Sequence, residues 1–192
     1  MNYRIVIGAA LVTLPLFAGC MQNAKSSGGS VSVSAGGSAS VSAAAPKEVT
    51  LTPMRFAAIQ ELLASKKGKI VVMDVWSTYC EPCMKEFPGL VALDKKFGRE
   101  KVACVSLCAN FSGLGKPTDP DVFDEPLKFL KAQGATFDNV LAADPDTKLY
   151  EDLKIASVPA IFVYDRDGKV LKVFENEAKY SEIEAFVATL VK

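Results

Sequence analysis

The sequence predicts an α/β domain over residues 47–192, built on a central sheet with helices around it. Two apolar runs rich in β-branched residues, Lys69–Trp76 and Val102–Leu107, are typical of strands buried on both faces. A helical pattern lies between them, and this strand–helix–strand order favours parallel pairing. An Asp-Gly turn within residues 165–168 indicates an antiparallel hairpin, so the expected sheet is mixed.

The first half of the domain contains two predicted helices. Thr52 followed by Pro53 is typical of a helix N-terminus, and the helical spacing then continues to Gly68. A second helix is predicted from Cys83 to Phe97. Because a proline inside a helix removes a hydrogen bond, Pro88 should kink this helix.

The second half begins with a predicted loop over residues 109–126, which are rich in Gly, Pro and Asp. Short helices are expected over 127–133 and 147–153. The two strands of the hairpin are predicted at 158–164 and 169–174. A final amphipathic helix should begin at Ser181, where Ser181 and Glu184 have the spacing of a capping box.

Composition excludes several classes of function. The chain has 22 basic and 22 acidic side chains and a formal net charge of zero, so we expect no nucleic-acid partner recognised through bulk positive charge. The absence of histidine excludes His-dependent zinc sites and Ser-His-Asp triads. We therefore expect no metal and no cofactor, and the chemistry rests on the cysteines.

The N-terminal part of the chain is predicted to be a targeting segment and a tether. In residues 1–20, Arg4 precedes a largely apolar run that ends in small residues, which is typical of a secretory signal. Phe17-Ala18-Gly19-Cys20 resembles the lipobox of bacterial lipoproteins, which implies a lipid on Cys20. The alternative is an ordinary signal peptide, or an N-terminal membrane anchor, with an incidental cysteine. Residues 21–46 are rich in Ser, Gly and Ala and are expected to form a flexible linker.

Cys80 and Cys83 are the main candidates for reactive groups. They lie at the predicted start of a helix, where free N–H groups and the helix dipole stabilise a thiolate. Cys80 is therefore the predicted nucleophile. Cys83 lies about one turn further on, so it could attack a mixed disulfide formed at Cys80 and release the substrate.

The segment Val71–Cys83, with its Cys80-Glu81-Pro82-Cys83 motif, resembles the thioredoxin superfamily and in particular its extracytoplasmic TlpA/ResA/DsbE type. The resemblance covers residues 49–192 and implies a thioredoxin fold, with a TlpA-type helical insert between Leu107 and Ala156. It also implies a redox-active disulfide between Cys80 and Cys83. By the same resemblance, Val158 and Pro159 form a cis-proline loop that offers backbone groups to an extended substrate.

Three further residues of the strand and turn are candidates for the site. Asp74 lies within an apolar run, and burial without a partner would raise its pKa and make it a proton carrier near neutral pH. The resemblance places an acid in this register beneath the second cysteine, whereas the alternative is a carboxylate in water at the strand end. Trp76 and Tyr79 flank the cysteines; the resemblance implies that they shape the redox surface, and the alternative is that they only pack in the core.

The cysteine pair also has structural interpretations, namely a disulfide that only stabilises the domain or a zinc site that includes Cys104 and Cys108. Residues four apart on a strand are about 13 Å from each other, which argues against one metal binding both and against a disulfide between them. Cys104 is expected to be a buried core residue. Cys108 follows a strand that ends at the same edge as Cys80, so both packing and a redox role stay open.

The leading hypothesis is a membrane-tethered thiol-disulfide oxidoreductase on the periplasmic side of the cell envelope that reduces protein disulfides. Its partners would be disulfide-containing envelope proteins, an upstream electron donor in the membrane or envelope, and the membrane itself through the lipid anchor. One alternative is a thiol peroxidase, although no Pro precedes Cys80 in its loop as in the peroxiredoxins. The other is a non-enzymatic metallochaperone or binding module on a thioredoxin scaffold.

Overall fold

The computed structural model describes residues 47–176 and 179–192. Within them, the strands are β1 (Thr52–Met54), β2 (Ile70–Trp76), β3 (Val102–Cys108), β4 (Asp138–Ala142), β5 (Ala160–Tyr164) and β6 (Val170–Glu175). The helices are α1 (Phe56–Ala64), α2 (Glu81–Glu86), α3 (Pro88–Phe97), α4 (Pro120–Gln133), α5 (Asp146–Leu153) and α6 (Tyr180–Leu190). The predicted signal segment 1–20, with Cys20, and the predicted linker 21–46 lie outside the described residues.

The strands form one mixed sheet in the order β1-β4-β3-β2-β5-β6. β2 lies in the middle, parallel to β3 and antiparallel to β5, and β6 completes the predicted hairpin. The Asp165 carboxylate closes the hairpin turn by accepting hydrogen bonds from the N–H groups of Asp167 and Lys169. The predicted α/β class with a mixed central sheet is therefore confirmed.

Helices cover both faces of the sheet, and each face has its own core. On one face, which we call the cysteine face, Val72 and Trp76 of β2 pack with Cys83 and with residues of α3, α4 and α6. On the other, the opposite face, Val71, Met73 and Val75 of β2 pack with residues of α1 and α5. Because successive side chains of a strand alternate between faces, Asp74 belongs to the cysteine face. Burial on both sides explains the continuous apolar run of β2.

The beginning of the domain differs from the sequence prediction. Thr52 does not cap a helix, because Thr52–Met54 pairs as β1 with Val140–Ala142 of β4. The helix starts at Phe56 instead. Its first N–H donates to the carboxylate of Asp144, 2.7 Å away, so the cap comes from a residue 88 positions later in the chain.

The structure corrects two other boundaries and adds one strand. The predicted loop 109–126 ends early, because α4 begins at Pro120, a residue type suited to the first turn of a helix. β4 was not predicted. The last helix begins at Tyr180, with no side-chain cap, so the capping box at Ser181 is wrong. The kink predicted at Pro88 is present as a full break between two helices, since α2 ends at Glu86 and α3 starts at Pro88.

The region predicted as a helical insert, between Leu107 and Ala156, contains α4, β4 and α5. α4 packs on the cysteine face through Leu130, and α5 packs on the opposite face through Leu149. Within residues 47–176 and 179–192, no helix has the length and apolar character needed to cross a bilayer.

Candidate active site

The two cysteines of the CxxC motif lie directly after β2, at the start of α2. They form a disulfide whose Cα atoms are 5.3 Å apart. Cys80 is the N-cap residue of α2 and is half-buried, whereas Cys83 lies inside the helix with 3% of its surface exposed. The two sulfurs are therefore unequal in access, and Cys80 is the one that a substrate can approach.

The backbone around Cys80 is arranged to favour a sulfur anion. The N–H of Cys83 donates to the Sγ of Cys80 over 3.2 Å, and Pro82 fits in the first turn without losing a hydrogen bond. A backbone donor that points at a sulfur stabilises its thiolate form once the disulfide is opened. This geometry favours Cys80 as the nucleophile, and the roles of Cys80 and Cys83 in the reaction stay predictions.

An open groove of about 710 Å³ runs beside Cys80. Its walls come from four segments that are distant in sequence: the cysteine turn, the end of β3, α5 and the loop before β5. The lining residues are Ser77, Tyr79, Cys80, Glu81, Pro82, Ala109, Asn110, Ser112, Asp146, Tyr150, Ser157 and Val158. Tyr79 is 76% exposed, so its ring is free to contact a bound substrate.

The loop before β5 forms the other side of this groove. The Val158–Pro159 peptide is cis, as the resemblance implied. β5 pairs antiparallel with β2, with Ala160 opposite Val75, so this loop lies beside the end of β2 from which the cysteine turn leaves. Val158 and Pro159 are therefore well placed for the predicted substrate contacts.

Asn110 holds the cysteine turn in place, and the sequence analysis missed it. Its Oδ1 accepts hydrogen bonds from the Ser77 hydroxyl at 2.9 Å and from the Thr78 N–H at 3.0 Å. Its Nδ2 donates to the Thr78 hydroxyl at 2.6 Å. Its position just after β3 could have identified it, because neighbouring parallel strands end at the same edge of the sheet and the cysteine turn follows β2.

Asp74 is buried on the cysteine face, which excludes the alternative of a carboxylate in water at the strand end. Its Oδ2 accepts a hydrogen bond from the Tyr180 hydroxyl over 2.6 Å. Burial raises the pKa of Asp74 to about 7, and the Tyr180 hydrogen bond opposes that rise in part. A carboxyl group with this pKa can exchange a proton near neutral pH, as predicted, although its part in the reaction stays a prediction.

A family model described as Redoxin matches residues 41–187. This chain belongs to the Redoxin family.

Among characterised relatives, this Redoxin protein is 30% identical over 125 residues to the thiol-disulfide oxidoreductase ResA of Bacillus subtilis. The match covers 65% of this chain and 63% of that relative. It is also 32% identical over 106 residues to the thiol:disulfide interchange protein HelX of Rhodobacter capsulatus, covering 55% of this chain and 52% of HelX. The predicted ResA-like membership of the thioredoxin superfamily is confirmed.

Two solved structures resemble the fold. A thiol-disulfide isomerase from Corynebacterium glutamicum superposes with a TM-score of 0.55 at 17% identity, over 66% of this chain and 83% of that one. A putative thiol:disulfide interchange protein DsbE from Chlorobium tepidum gives a TM-score of 0.54 at 23% identity, over 68% and 85%. The predicted thioredoxin fold is confirmed.

Trp76 does not occupy the place that the sequence analysis gave it. Its side chain is fully buried and packs against Phe87 and Phe129, with ring centroids 5.0 and 5.1 Å away. It therefore packs in the core beneath the junction of α2 and α3 and beneath α4. Because it has no exposed surface, it cannot contact a substrate directly. In this Redoxin protein, Tyr79 is the exposed aromatic residue of the turn.

Cys104 and Cys108 are buried and free. Burial is the main cause that raises the pKa of both thiols well above the ordinary value, so both stay protonated at neutral pH. The Cys108 Sγ donates to Asn110 Oδ1 over 3.2 Å. Across the described residues of this Redoxin protein, no three Cys, Asp or Glu side chains come together as metal ligands. This environment favours packing roles for both cysteines.

Proposed function

We propose that this protein is a thiol-disulfide oxidoreductase that reduces disulfides of other proteins. The observation that carries the proposal is the Cys80–Cys83 pair at the end of β2, with Cys80 on an open groove and Cys83 buried behind it. Membership of the Redoxin family and the similarity to ResA and HelX support the same chemistry. The chain spans about 52–63% of the length of these two relatives, so their full activities are not carried over to it.

The reaction proceeds by two exchanges at sulfur. In the reduced protein, the Cys80 thiolate attacks a substrate disulfide, forms a mixed disulfide and releases one substrate thiolate. The Cys83 thiol then loses its proton to Asp74 and attacks the Cys80 sulfur, which releases the second substrate thiolate. The protein ends with the Cys80–Cys83 disulfide, and two electrons have passed to the substrate. The released thiolates take up two protons from water and from Asp74.

The groove beside Cys80 is the proposed binding site for the substrate. Backbone groups of Val158, next to the cis Pro159, would pair with an extended substrate segment. The exposed ring of Tyr79 would pack against that segment from the other wall. Both contacts use the substrate's backbone or its apolar surface and need no particular side chain. Such a groove can therefore bind disulfides in proteins of varied sequence.

Glu81 supports a reducing direction. It is exposed in the first turn of α2, next to Cys80, where a negative charge disfavours the Cys80 thiolate. A less stable thiolate makes the reduced protein less stable and lowers its reduction potential. Glu81→Lys should therefore raise the potential, by about 20 mV for the roughly 1 kcal/mol expected of exposed charges.

The potential is measured by equilibration with glutathione buffers at pH 7. Glu61→Lys on α1, on the opposite face of the sheet, is the matched control and should leave the potential unchanged. A wild-type potential near that of strong envelope oxidants would contradict the reducing direction and leave the sulfur roles intact.

The proposed location is the periplasmic side of the cell envelope, with a lipid on Cys20 as the anchor. The signal-like pattern of residues 1–20 and the following linker support this. Cys20→Ser should move the protein from the membrane fraction to the soluble extracytoplasmic fraction, whereas Cys104→Ser should not. If Cys20→Ser stays with the membrane, the apolar N-terminus itself is the anchor.

Three assays on the purified protein separate the proposal from its alternatives. Reduction of insulin disulfides by the dithiol form supports the proposal. Turnover of peroxide without insulin reduction would favour a thiol peroxidase, and stoichiometric metal after gentle purification would favour a metallochaperone. In cells, Cys83→Ser should accumulate mixed disulfides through Cys80 with its envelope substrates, and Cys80→Ser should not. The same trapping approach would identify the upstream electron donor.

A further inference from the structure

Tyr180 connects the last helix to the buried acid of the central strand. Its hydroxyl donates to Asp74 Oδ2 over 2.6 Å, although the two residues are 106 positions apart in the chain. Both side chains are buried on the cysteine face, Tyr180 with 7% and Asp74 with 3% of its surface exposed. A hydrogen bond to a carboxylate in such a dry setting is stronger than one at the surface.

The two oxygens of Asp74 have different surroundings. Oδ2 is bonded to Tyr180, whereas Oδ1 is buried and has no hydrogen-bond partner among the described residues. Buried polar atoms are nearly always paired, so an unpaired carboxylate oxygen in the core needs an explanation. Cys83 lies in the same layer, in the cluster that includes Trp76 and Tyr180.

The packing of α3 fixes the ring of Tyr180. A Cβ atom added to Gly89 would lie 2.3 Å from both Cβ and Cγ of Tyr180, which is far too close. Glycine at this position therefore allows the ring to lie directly on the helix backbone. The N–H of Tyr180 also donates to the Glu86 carboxylate over 3.4 Å, which ties the start of α6 to the end of α2.

We propose that Tyr180 is a positioning residue for Asp74: its hydroxyl holds Oδ2, so that Oδ1 is the atom that takes the proton from Cys83. This inference rests on the proposed function, because it assigns a role within the step that resolves the mixed disulfide.

The Cys83 S–H bond breaks and its proton passes to Asp74 Oδ1, giving a neutral carboxyl group and a Cys83 thiolate. The thiolate forms the Cys80–Cys83 bond as the bond from Cys80 to the substrate sulfur breaks, and the electron pair leaves with the substrate thiolate. Asp74 then returns its proton to that thiolate or to water. Throughout, Tyr180 keeps its own proton.

The groups around the pair are consistent with this role. The ionisable groups that face it are Cys83 and Glu86 on α2 and Cys104 on β3. β5 contributes only apolar side chains next to Asp74, and α3 contributes Gly89 and Leu90. Burial first, and then the negative charge of Asp74, raise the pKa of Tyr180 well above its usual value, so the phenol remains a donor.

The direct test is Tyr180→Phe, which removes the hydroxyl and keeps the ring. The carboxylate form of Asp74 loses its hydrogen-bond donor, so the pKa of Asp74 rises. Below that pKa most Asp74 side chains are already protonated and cannot accept the proton of Cys83. Because a hydrogen bond to a charged group is equivalent to about one pH unit or more, disulfide reduction should fall roughly tenfold at pH 6 and about twofold or less at pH 9. The matched control is Tyr164→Phe, which removes a buried tyrosine hydroxyl from the opposite face and should leave the pH profile unchanged.

A second measurement does not depend on activity. The Asp74 carboxyl carbon is titrated by ¹³C NMR in the oxidised protein, where Cys83 has no proton to lose. The midpoint should be higher in Tyr180→Phe than in the wild type and unchanged in Tyr164→Phe. Equal midpoints in wild type and Tyr180→Phe would overturn the positioning role, and so would a loss of activity that is the same at pH 6 and pH 9. A wild-type protein that reduces no disulfide at any pH overturns the proposed function instead, and the carboxyl titration then decides the positioning role alone.

Discussion

The two faces of the central sheet bury side chains of different chemistry. On the opposite face, the buried side chains are aliphatic or aromatic, from Ile59 of α1 to Leu149 of α5. On the cysteine face, the same sheet buries Asp74 and Ser106. Burying polar groups costs free energy, whereas burying apolar surface supplies it. The opposite face therefore mainly stabilises the fold. The buried polar groups of the cysteine face lower the free energy of unfolding, and we infer that they are present for the reaction.

The incomplete hydrogen bonding of the cysteine face supports this view. Two buried side-chain polar atoms lack a partner among the described residues, Asp74 Oδ1 and Trp76 Nε1. Both belong to the cysteine face of β2, and both lie within a few residues of Cys80. An unpaired buried polar atom costs about 1–3 kcal/mol, so their presence at this one end of the strand calls for a functional reason.

The largest expected effect is the difference in activity between substituting a cysteine of the CxxC pair and substituting one of the two buried free cysteines. Cys80→Ser removes the proposed nucleophile and should lower insulin reduction roughly a thousandfold or more. Cys108→Ser, at a buried thiol that stays protonated, should change it by about twofold or less per folded molecule. Steady-state insulin reduction by equal amounts of folded protein measures both. A large loss in Cys108→Ser, with folding intact, would show that the reactive chemistry extends beyond the CxxC pair.

The next prediction concerns stability and the charge on Asp74. Its pKa is about 7 in the folded protein, above the ordinary carboxyl value, so the folded state holds the proton more tightly than the unfolded state. The free energy of unfolding should therefore fall as pH rises from about 4 to about 7. In Asp74→Asn this dependence should disappear, a difference on the order of 4 kcal/mol across the interval.

Urea unfolding at several pH values measures this dependence. Ser106→Ala is the matched control, because Ser106 is buried next to Asp74 in the register of β2 and β3 and bonds Asn139 instead. Its curve should run parallel to that of the wild type. Parallel curves for the wild type and Asp74→Asn would mean that Asp74 has an ordinary pKa in the folded protein.

The smallest effect on chemistry is expected on the opposite face at α1, which does not line the groove beside Cys80. Ile59 is fully buried there, so Ile59→Ala should destabilise the protein by about 2–5 kcal/mol through lost contacts and a cavity. The activity per folded molecule, and its dependence on pH, should stay unchanged. Both quantities are measured at a temperature where the variant is fully folded. A shifted pH profile would contradict the division of roles between the two faces.

The sequence predicted the features that depend on local pattern. β2 and β3 were recognised because burial on both faces leaves a continuous apolar run, and the break at Pro88 follows from the chemistry of proline. The CxxC motif predicts the reactive pair Cys80 and Cys83. The family resemblance predicts the cis-proline loop at Val158 and Pro159. Asp74 is the one acid in the apolar run of β2, and this pattern predicts a buried carboxyl group.

The missed features depend on contacts between distant segments. β1 is only three residues long and exists because it pairs with β4, and α1 is capped by Asp144 from beyond β4. Tyr180 looked like any aromatic residue before a helix, and only the packing of α6 against α3 brings it to Asp74. The resemblance implies a place for Trp76 at the redox surface, but the alternation of side chains along β2 points it into the core, which is the packing alternative.

The most direct test of the central claim follows the two sulfur exchanges separately. When the reduced protein reacts with excess 5,5′-dithiobis(2-nitrobenzoate), attack by Cys80 releases one coloured thiolate and resolution by Cys83 releases the second. Stopped-flow absorbance resolves the two phases over pH 5–9. The second phase should accelerate with a midpoint near pH 7, as Asp74 ionises, and Asp74→Asn should slow this phase strongly at pH 7 and little at pH 9. The first phase should be nearly the same in both proteins. A second phase with the same pH dependence in wild type and Asp74→Asn would show that Asp74 does not accept the proton of Cys83.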